Sequence, residues 1–184
     1  LISLAREQKL GDQLQWETRI YYNWLSGSYD FDFNNFIGLP STDELFNYAL
    51  ESDFYGGYSN LYFKSDVYDL SFGLHLNNYQ RKHIGSENNS GRLYSNTGYK
   101  DSYAAFIKYN YYWNDLNFFA DIQHRYTDFD YQGNVEFSKL DWQFTNPRLG
   151  VSYQLTDSWL FYCSLGKTGR EPTRTDLFGG MDNL

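Results

Sequence analysis

Apolar and polar residues alternate over long stretches of this chain, which is the pattern of β-strands with two different faces. In residues 68–77, apolar side chains occupy every second position, with polar side chains or glycine between them. The same alternation runs through four further segments: 13–24, 99–113, 116–127 and 149–165. A weaker strand, interrupted by Gly56 and Gly57, covers residues 54–63. The pattern predicts an all-β chain, an antiparallel up-and-down meander of about seven or eight long strands.

The connections between these strands are alternately short and long. Short turns fall at three places: residues 64–69, 114–115 and 156–158. Long connections fall at four places: residues 34–53, 78–98, 128–141 and from 169 onward. Short turns at one end and long loops at the other are typical of an outer-membrane β-barrel, in which the short turns are periplasmic. We therefore expect Thr156–Ser158 on the periplasmic side and Arg170–Asp176 on the extracellular side.

The turn residues predict how neighbouring strands pair. If Asn114 and Asp115 form a two-residue hairpin loop, apolar residues meet on one face and opposite charges meet on the other. The expected pairs are Trp113 with Leu116, Lys108 with Asp121, Ile107 with Ile122, and Tyr103 with Tyr126. In the last hairpin we expect a three-residue turn, which puts on the lipid side Trp159, Phe161, Cys163 and Leu165. A two-residue turn would put Leu160 and Tyr162 there instead.

Two interruptions of the strand pattern are expected. A bend at Ser26–Gly27 separates the first long strand from its continuation. Ser41 and Glu44 have the spacing of a capping box, with acidic residues in the first turn. We therefore expect at most one short helix, near residues 42–51, within a polar loop.

Composition narrows the class of protein. Aromatic residues make up 21% of the 184 residues and there are only 3 prolines, which suits strands. The net charge of −8, without a cluster of Lys or Arg, argues against a nucleic-acid partner. The mean hydropathy is −0.66, and no apolar run approaches the roughly 18 residues of a membrane helix. Cys163 is the single cysteine, so the chain forms no internal disulfide.

A soluble β-sandwich is the alternative that periodicity alone leaves open. The chain would then be a secreted β-rich binding module, carbohydrate-binding or adhesin-like, with its aromatic residues as a platform. Two features favour a barrel segment. The strands span roughly 12–16 residues, against a usual 5–6 in globular proteins. The polar face also carries ionisable groups that suit a wet or plugged lumen: Glu17, Arg19, Lys108, Asp121, Arg125 and Arg148.

Several stretches resemble the barrel of TonB-dependent outer-membrane receptors, in the version common among Bacteroidota. They are Asn96–Lys100, Phe119–Arg125, Phe144–Gly150 and Gly169–Arg174, and more loosely Gly73–Gly85. The Arg170-Glu171-Pro172 element, followed by Arg174 and Asp176, carries the likeness most strongly. The resemblance implies a wide barrel of about 22 strands with a plug in its lumen. It also implies import of a scarce ligand, of the ferric siderophore, haem, cobalamin or glycan class, with energy relayed by the TonB complex.

On this interpretation the chain is an open segment of a large transmembrane β-barrel in the bacterial outer membrane. Residues 1–184 are expected to form barrel wall and extracellular loops, without a separate plug domain, and both ends look cut. Outer-membrane lipid would cover the apolar face. In an isolated fragment, the two unpaired edge strands are expected to pair with other copies. No cofactor is expected.

Candidate ligand-binding residues lie in the predicted extracellular loops: Tyr79, Arg81, His83, Tyr131, Arg170 and Arg174. Arginine forks suit anionic groups and aromatic rings stack on a ligand. The alternatives are a loop-base ion-pair network of Arg170, Glu171 and Asp176, and aromatic rings that only shield the loops. Lys108 and Asp121 are expected to form a structural pair. The histidines lack metal-site spacing, and no pattern of catalytic residues supports an enzyme.

Overall fold

The computed structural model describes residues 1–41, 45–134 and 138–178, which form one sheet of eight antiparallel strands in sequence order. The strands are β1 Ile2–Lys9, β2 Leu14–Asp32, β3 Leu45–Lys64, β4 Tyr68–Glu87, β5 Gly91–Trp113, β6 Leu116–Gln132, β7 Leu140–Thr156 and β8 Trp159–Gly166. The described residues also include two short helices, α1 Phe33–Phe36 and α2 Arg174–Phe178. Among the described residues no helix is long and apolar enough to span a membrane. The predicted up-and-down meander is confirmed.

The sheet is a single layer with two distinct faces. Its polar face carries, among others, Glu17, Tyr58, His75, Asp121 and Arg125. Its apolar face carries Ile20, Leu74, Ile107, Ile122 and Leu149. Many apolar side chains on this second face are exposed; Ile20, for example, is 60% exposed. Tyr131 is the only large apolar side chain of the described part that is buried, so no second layer forms a sandwich core.

Strand pairing around the first short turn confirms the predicted register. Trp113 pairs with Leu116 across the turn, and Tyr103 pairs with Tyr126 higher in the hairpin. Asn114 has a φ of 51°, a left-handed conformation that asparagine tolerates better than most residues. The hairpin is therefore two-sided from the turn to its far end, as the alternation predicts.

The last hairpin has the predicted faces but not the predicted turn. Its loop has two residues, Asp157 and Ser158, because Thr156 pairs with Trp159. A register shift between Gln154 and Thr156 adds one residue to β7. This bulge reverses the side change that a two-residue loop alone would cause, so Phe161, Cys163 and Leu165 still lie on the apolar face.

The two predicted interruptions are wrong. Residues 45–51 belong to β3, where they pair with β2, and residues 42–44 lie outside the described residues. A short helix is marginal by itself, so the continuous ladder outweighs the local capping signal. The helix forms instead at α1, where Asp32 accepts a hydrogen bond from Asn35 N at 3.1 Å. β2 is continuous through Ser26–Gly27, and both residues keep their place in the pairing with β3.

The long connections are shorter than predicted, because the strands extend well past the roughly 9–11 residues of a membrane crossing. Between β4 and β5 only residues 88–90 lie outside strands. β6 continues to Gln132 and β7 starts at Leu140. The residues expected in loops 78–98 and 128–141 therefore lie mostly on paired strands, which gives their side chains defined positions.

Candidate functional site

A cavity of about 400 Å³ lies on the polar face, towards the strand ends that carry the long connections. Its wall comes from four adjacent strands. β4 contributes Tyr79, Arg81 and His83; β5 contributes Asn96, Gly98 and Lys100; β6 contributes Arg125, Phe129 and Tyr131; β7 contributes Trp142. Strand alternation explains this grouping, because Tyr79, Lys100 and Phe129 follow one another across the ladder.

The remaining wall comes from Leu177 of α2 and from Arg170–Thr173. Arg170–Thr173 belong to the segment 167–173 after β8, which we call the strap. Asn146 holds the strap against the sheet: Gly169 N donates to Asn146 Oδ1 at 2.7 Å, and Asn146 Nδ2 donates to Gly169 O at 3.2 Å. Lys167 N donates to Pro147 O at 3.0 Å. A Cβ on Gly169 would lie 2.7 Å from Phe144 Cδ1, so only glycine allows this close approach.

Glu171 of the strap reaches two strands beyond β7. Lys100 Nζ donates to Glu171 Oε1 at 2.6 Å, and Arg125 Nη2 lies 3.0 Å from Glu171 Oε2. Partial burial favours protonation of Glu171, but the hydrogen bond from Lys100 and the charges of Lys100 and Arg125 outweigh it and lower the pKa of this carboxyl. Glu171 is therefore an ionised carboxylate inside the cavity wall.

Asp176 has a different role from the predicted ion pair. Its Oδ2 accepts from Thr173 N and from Thr173 Oγ1, both at 2.8 Å, while Asp176 N donates to Thr173 Oγ1 at 3.3 Å. This is a capping box at the start of α2. The hydrogen bonds from Thr173 and, more weakly, the charge of Arg170 lower the pKa of Asp176. Asp176 thus caps a helix, and Arg170 acts on it only through its charge.

The cavity wall is cationic although the chain is acidic. Among the described residues that line it, four are Lys or Arg, namely Arg81, Lys100, Arg125 and Arg170, and Glu171 is the only carboxylate. The whole chain, in contrast, has a net charge of −8. Concentrated positive charge in a concave, partly desolvated site attracts anions more strongly than the same charges spread over a surface.

Three buried hydrogen-bond donors of the cavity wall have no acceptor among the described residues: Arg81 Nε, Asn96 Nδ2 and Arg125 Nε. Asn96 is only 2% exposed, and its Oδ1 accepts from Asn134 N at 3.0 Å, which orients the amide. Two of the guanidinium groups rest on rings, Arg81 at 5.3 Å from Tyr79 and Arg125 at 5.9 Å from Phe144. Buried donors are usually paired, so this wall is suited to a ligand rich in acceptor oxygens.

The predicted ligand-binding residues mostly converge. Tyr79, Arg81, His83, Tyr131 and Arg170 line this one cavity, and Arg174 opens α2 directly after the strap, with its side chain outside the described part. Sequence reasoning missed Asn96, Lys100 and Arg125 as members of the site. The predicted pairing of β5 with β6 carried a signal for the last two, since it puts Lys100 and Arg125 on the same polar face as Asp121. Asn96 fell in a predicted loop and gave no such signal.

Lys108 and Asp121 face each other in the predicted register but do not form the predicted ion pair. Asp121 Oδ2 instead accepts from Arg148, with Nε and Nη2 both at 2.8 Å. Lys108 Nζ lies 5.1 Å from the centre of the Phe106 ring. Both contacts lie on the polar face nearer the short turns. In the described residues no group of three or more His, Cys, Asp or Glu side chains is placed to hold a metal ion.

Residues 2–183 match the family model described as TonB dependent receptor-like, beta-barrel. The chain belongs to this family of TonB-dependent receptor β-barrels. Its members are receptors and transporters of the Gram-negative outer membrane rather than enzymes, which confirms the predicted fold class and location. In such a barrel the apolar face meets lipid and the polar face lines the lumen. The cavity therefore opens on the lumen side of a TonB-dependent receptor wall.

Solved structures with the same fold include three transporters or receptors. The copper transporter OprC has 14% identity and a TM-score of 0.79, over 96% of this chain and 32% of its own. The ferric citrate transporter FecA, unliganded, has 12% identity and a TM-score of 0.75, over 88% and 26%. The ferric yersiniabactin uptake receptor FyuA from Yersinia pestis has 19% identity and a TM-score of 0.66, over 88% and 26%. This chain thus spans about a quarter to a third of the length of each of these three proteins. No curated protein sequence matches it.

Proposed function

We propose that the receptor to which this chain contributes imports an anionic, oxygen-rich ligand across the outer membrane, with energy from the TonB complex. The cationic cavity is proposed as part of the ligand's binding site. The observation that carries this proposal is the convergence of four cationic side chains and three unpaired buried donors on one wall of the lumen.

The chemistry of the wall supports an anion over a neutral ligand. Hydrogen bonds to charged groups contribute about 1.5–3 kcal/mol each, roughly twice the value of neutral ones. Carboxylate, catecholate or phosphate oxygens would fill the acceptor positions beside Arg81, Asn96 and Arg125. The rings of Phe129, Tyr131 and Trp142 would contact planar or apolar parts of the same ligand. A neutral glycan would use the rings but leave the positive charges unbalanced.

Ferric chelates with anionic oxygen donors are the ligand class that we place first. Two of the solved structures with this fold are a ferric citrate transporter and a ferric yersiniabactin uptake receptor. Such chelates combine net negative charge with many acceptor oxygens, which matches the donors described above. Haem and cobalamin remain as further classes to test against the same site.

The experiment compares two ferric complexes of similar shape and different charge. The full-length receptor is purified in detergent and titrated with an anionic ferric tris-catecholate and a neutral ferric tris-hydroxamate. We expect the anionic complex to bind more tightly. Arg81→Gln should weaken its binding about tenfold, equivalent to about 1.4 kcal/mol, because one charge-assisted contact is lost.

The matched control is Lys82→Gln. Lys82 is the next residue on β4 but faces the other side of the sheet, where its Nζ lies 4.0 Å from Glu51. Both substitutions remove one positive charge, so a general effect of net charge would appear in both. Equal binding of the two ferric complexes, or equal weakening by both substitutions, would contradict the proposal.

A further inference from the structure

The cationic cavity already contains one anion, which belongs to the chain itself. Glu171 contacts Lys100 at 2.6 Å and Arg125 at 3.0 Å. These are two of the four cations that the proposed function assigns to the ligand. Glu171 is more enclosed than either partner: its side chain is 17% exposed, against 34% for Lys100 and 29% for Arg125. A carboxylate of the strap therefore occupies a position suited to a ligand carboxylate or catecholate.

The pairing of Glu171 with Arg125 is close but poorly aligned. Arg125 approaches with one terminal nitrogen, and its buried Nε has no hydrogen-bond partner. Glu171 Oε2 is also buried without a well-directed hydrogen bond, although the 3.0 Å distance makes it an ion pair. Guanidinium and carboxylate groups bind best as a two-pronged fork. A freely positioned ligand oxyanion would pair with Arg125 better than the tethered Glu171 does.

Glu171 also provides the polar link that holds the second half of the strap to the sheet. The backbone contacts of Lys167 and Gly169 with β7 come before it. The contacts of Thr173 with Asp176 come after it and are local to α2. In the described part of the chain, the hydrogen bonds and ion pairs that join residues 170–173 to a strand all run through Glu171.

We propose that Glu171 is an internal competitor that determines which anions the cavity accepts. Its carboxylate holds Lys100 and Arg125 in the empty receptor. An anionic group of the ligand replaces it, and the replacement releases residues 170–173 from the sheet. This inference rests on the proposed function, because it requires that an anionic ligand reach these two cations. It predicts selectivity as well, since a neutral ligand gains nothing from displacing a carboxylate.

The test uses the full-length receptor, the anionic ferric tris-catecholate and Glu171→Gln, a substitution of similar shape without the charge. Because the ligand no longer displaces an anion, we expect the variant to bind about tenfold more tightly, equivalent to about 1.4 kcal/mol. The neutral tris-hydroxamate should bind as before. Glu51→Gln is the matched control, since it removes the same charge from the other face of the sheet. A second measurement needs no substitution: the backbone amides of residues 170 and 171 in the unaltered receptor should exchange hydrogen faster when the anionic complex is bound.

The outcomes separate the two proposals. Tighter anion binding by Glu171→Gln, together with faster hydrogen exchange in the strap of the unaltered receptor, supports the proposal that Glu171 competes with the ligand. Weaker or unchanged anion binding by this variant, with unchanged or slower hydrogen exchange in the strap of the unaltered receptor, overturns the proposal that Glu171 competes with the ligand. If Arg81→Gln still weakens anion binding in that case, the proposed function stands. If neither the unaltered receptor nor Glu171→Gln binds the anionic complex, both proposals fail.

Discussion

Gly169 is the position at which one added methyl group tests how the strap is held. In Gly169→Ala the new Cβ would lie 2.7 Å from Phe144 Cδ1 and 3.4 Å from Cε1. Either the strap moves off the sheet or the Phe144 ring turns. The ring is half-buried and lies 5.9 Å from the Arg125 guanidinium carbon, so its rotation would disturb a cation of the cavity. Both routes change the site.

The expected cost follows from the contacts that the strap would lose. Gly169 exchanges two hydrogen bonds with Asn146, and each contributes about 0.5–1.5 kcal/mol. Loss of both lowers the free energy of local opening by about 1–3 kcal/mol, so the strap should open about 5 to 150 times more often. The global stability should change less, because the strand ladders remain intact.

Hydrogen exchange of the full-length receptor in detergent measures this effect. The amides of Lys167 and residue 169 donate to Pro147 O and Asn146 Oδ1, so their protection reports the opening directly. Gly27→Ala is the control, because a Cβ there meets no atom within 4 Å. Unchanged protection in Gly169→Ala, or an equal loss in Gly27→Ala, would show that the close approach to Phe144 does not hold the strap.

Three further predictions concern single groups. The folded-state pKa of Glu171 lies below its ordinary value, so its stabilising effect on the strap is present above the ordinary range and is lost as the pH falls through the folded pKa. The strap's backbone amides should therefore become less protected from hydrogen exchange at that acidic pH. Glu171→Gln should abolish this dependence on pH. Asp176→Ala removes the capping box and should destabilise α2 by about 1 kcal/mol, measured as faster exchange of the Leu177 amide, which donates to Thr173 O. Asn114→Val places a β-branched residue at a φ of 51° and should lower unfolding stability in urea by about 1–3 kcal/mol, whereas Asn114→Gly should be close to neutral.

Much of the sheet follows from the sequence, because strand structure here depends on neighbours in the chain. Alternation with a period of two requires two-faced strands, and the Asn114-Asp115 turn sets the pairing of Ile107 with Ile122. Tyr79, Arg81 and His83 were assigned to a long connection by the sequence pattern, and the structure places them on one face of β4. Local signals were misleading where a long ladder competes with them. The capping pattern of residues 41–44 predicted a helix near 42–51, but residues 45–51 form a strand that pairs with β2.

The site itself depends on contacts between residues far apart in the chain. Lys100 and Glu171 are separated by 71 positions, and they meet because the strap turns inward after β8 and crosses two strands. The local sequence does not predict how far the strap reaches across the sheet. Its reach depends on contacts with Asn146 and Phe144 and on the stagger of the strands beneath it. The same holds for Asp121, whose partner is Arg148 rather than the Lys108 that faces it. The alternating pattern by itself determined a two-faced barrel wall; the tertiary structure alone decided which charges on that wall meet, because side-chain pairing depends on distances that periodicity does not specify.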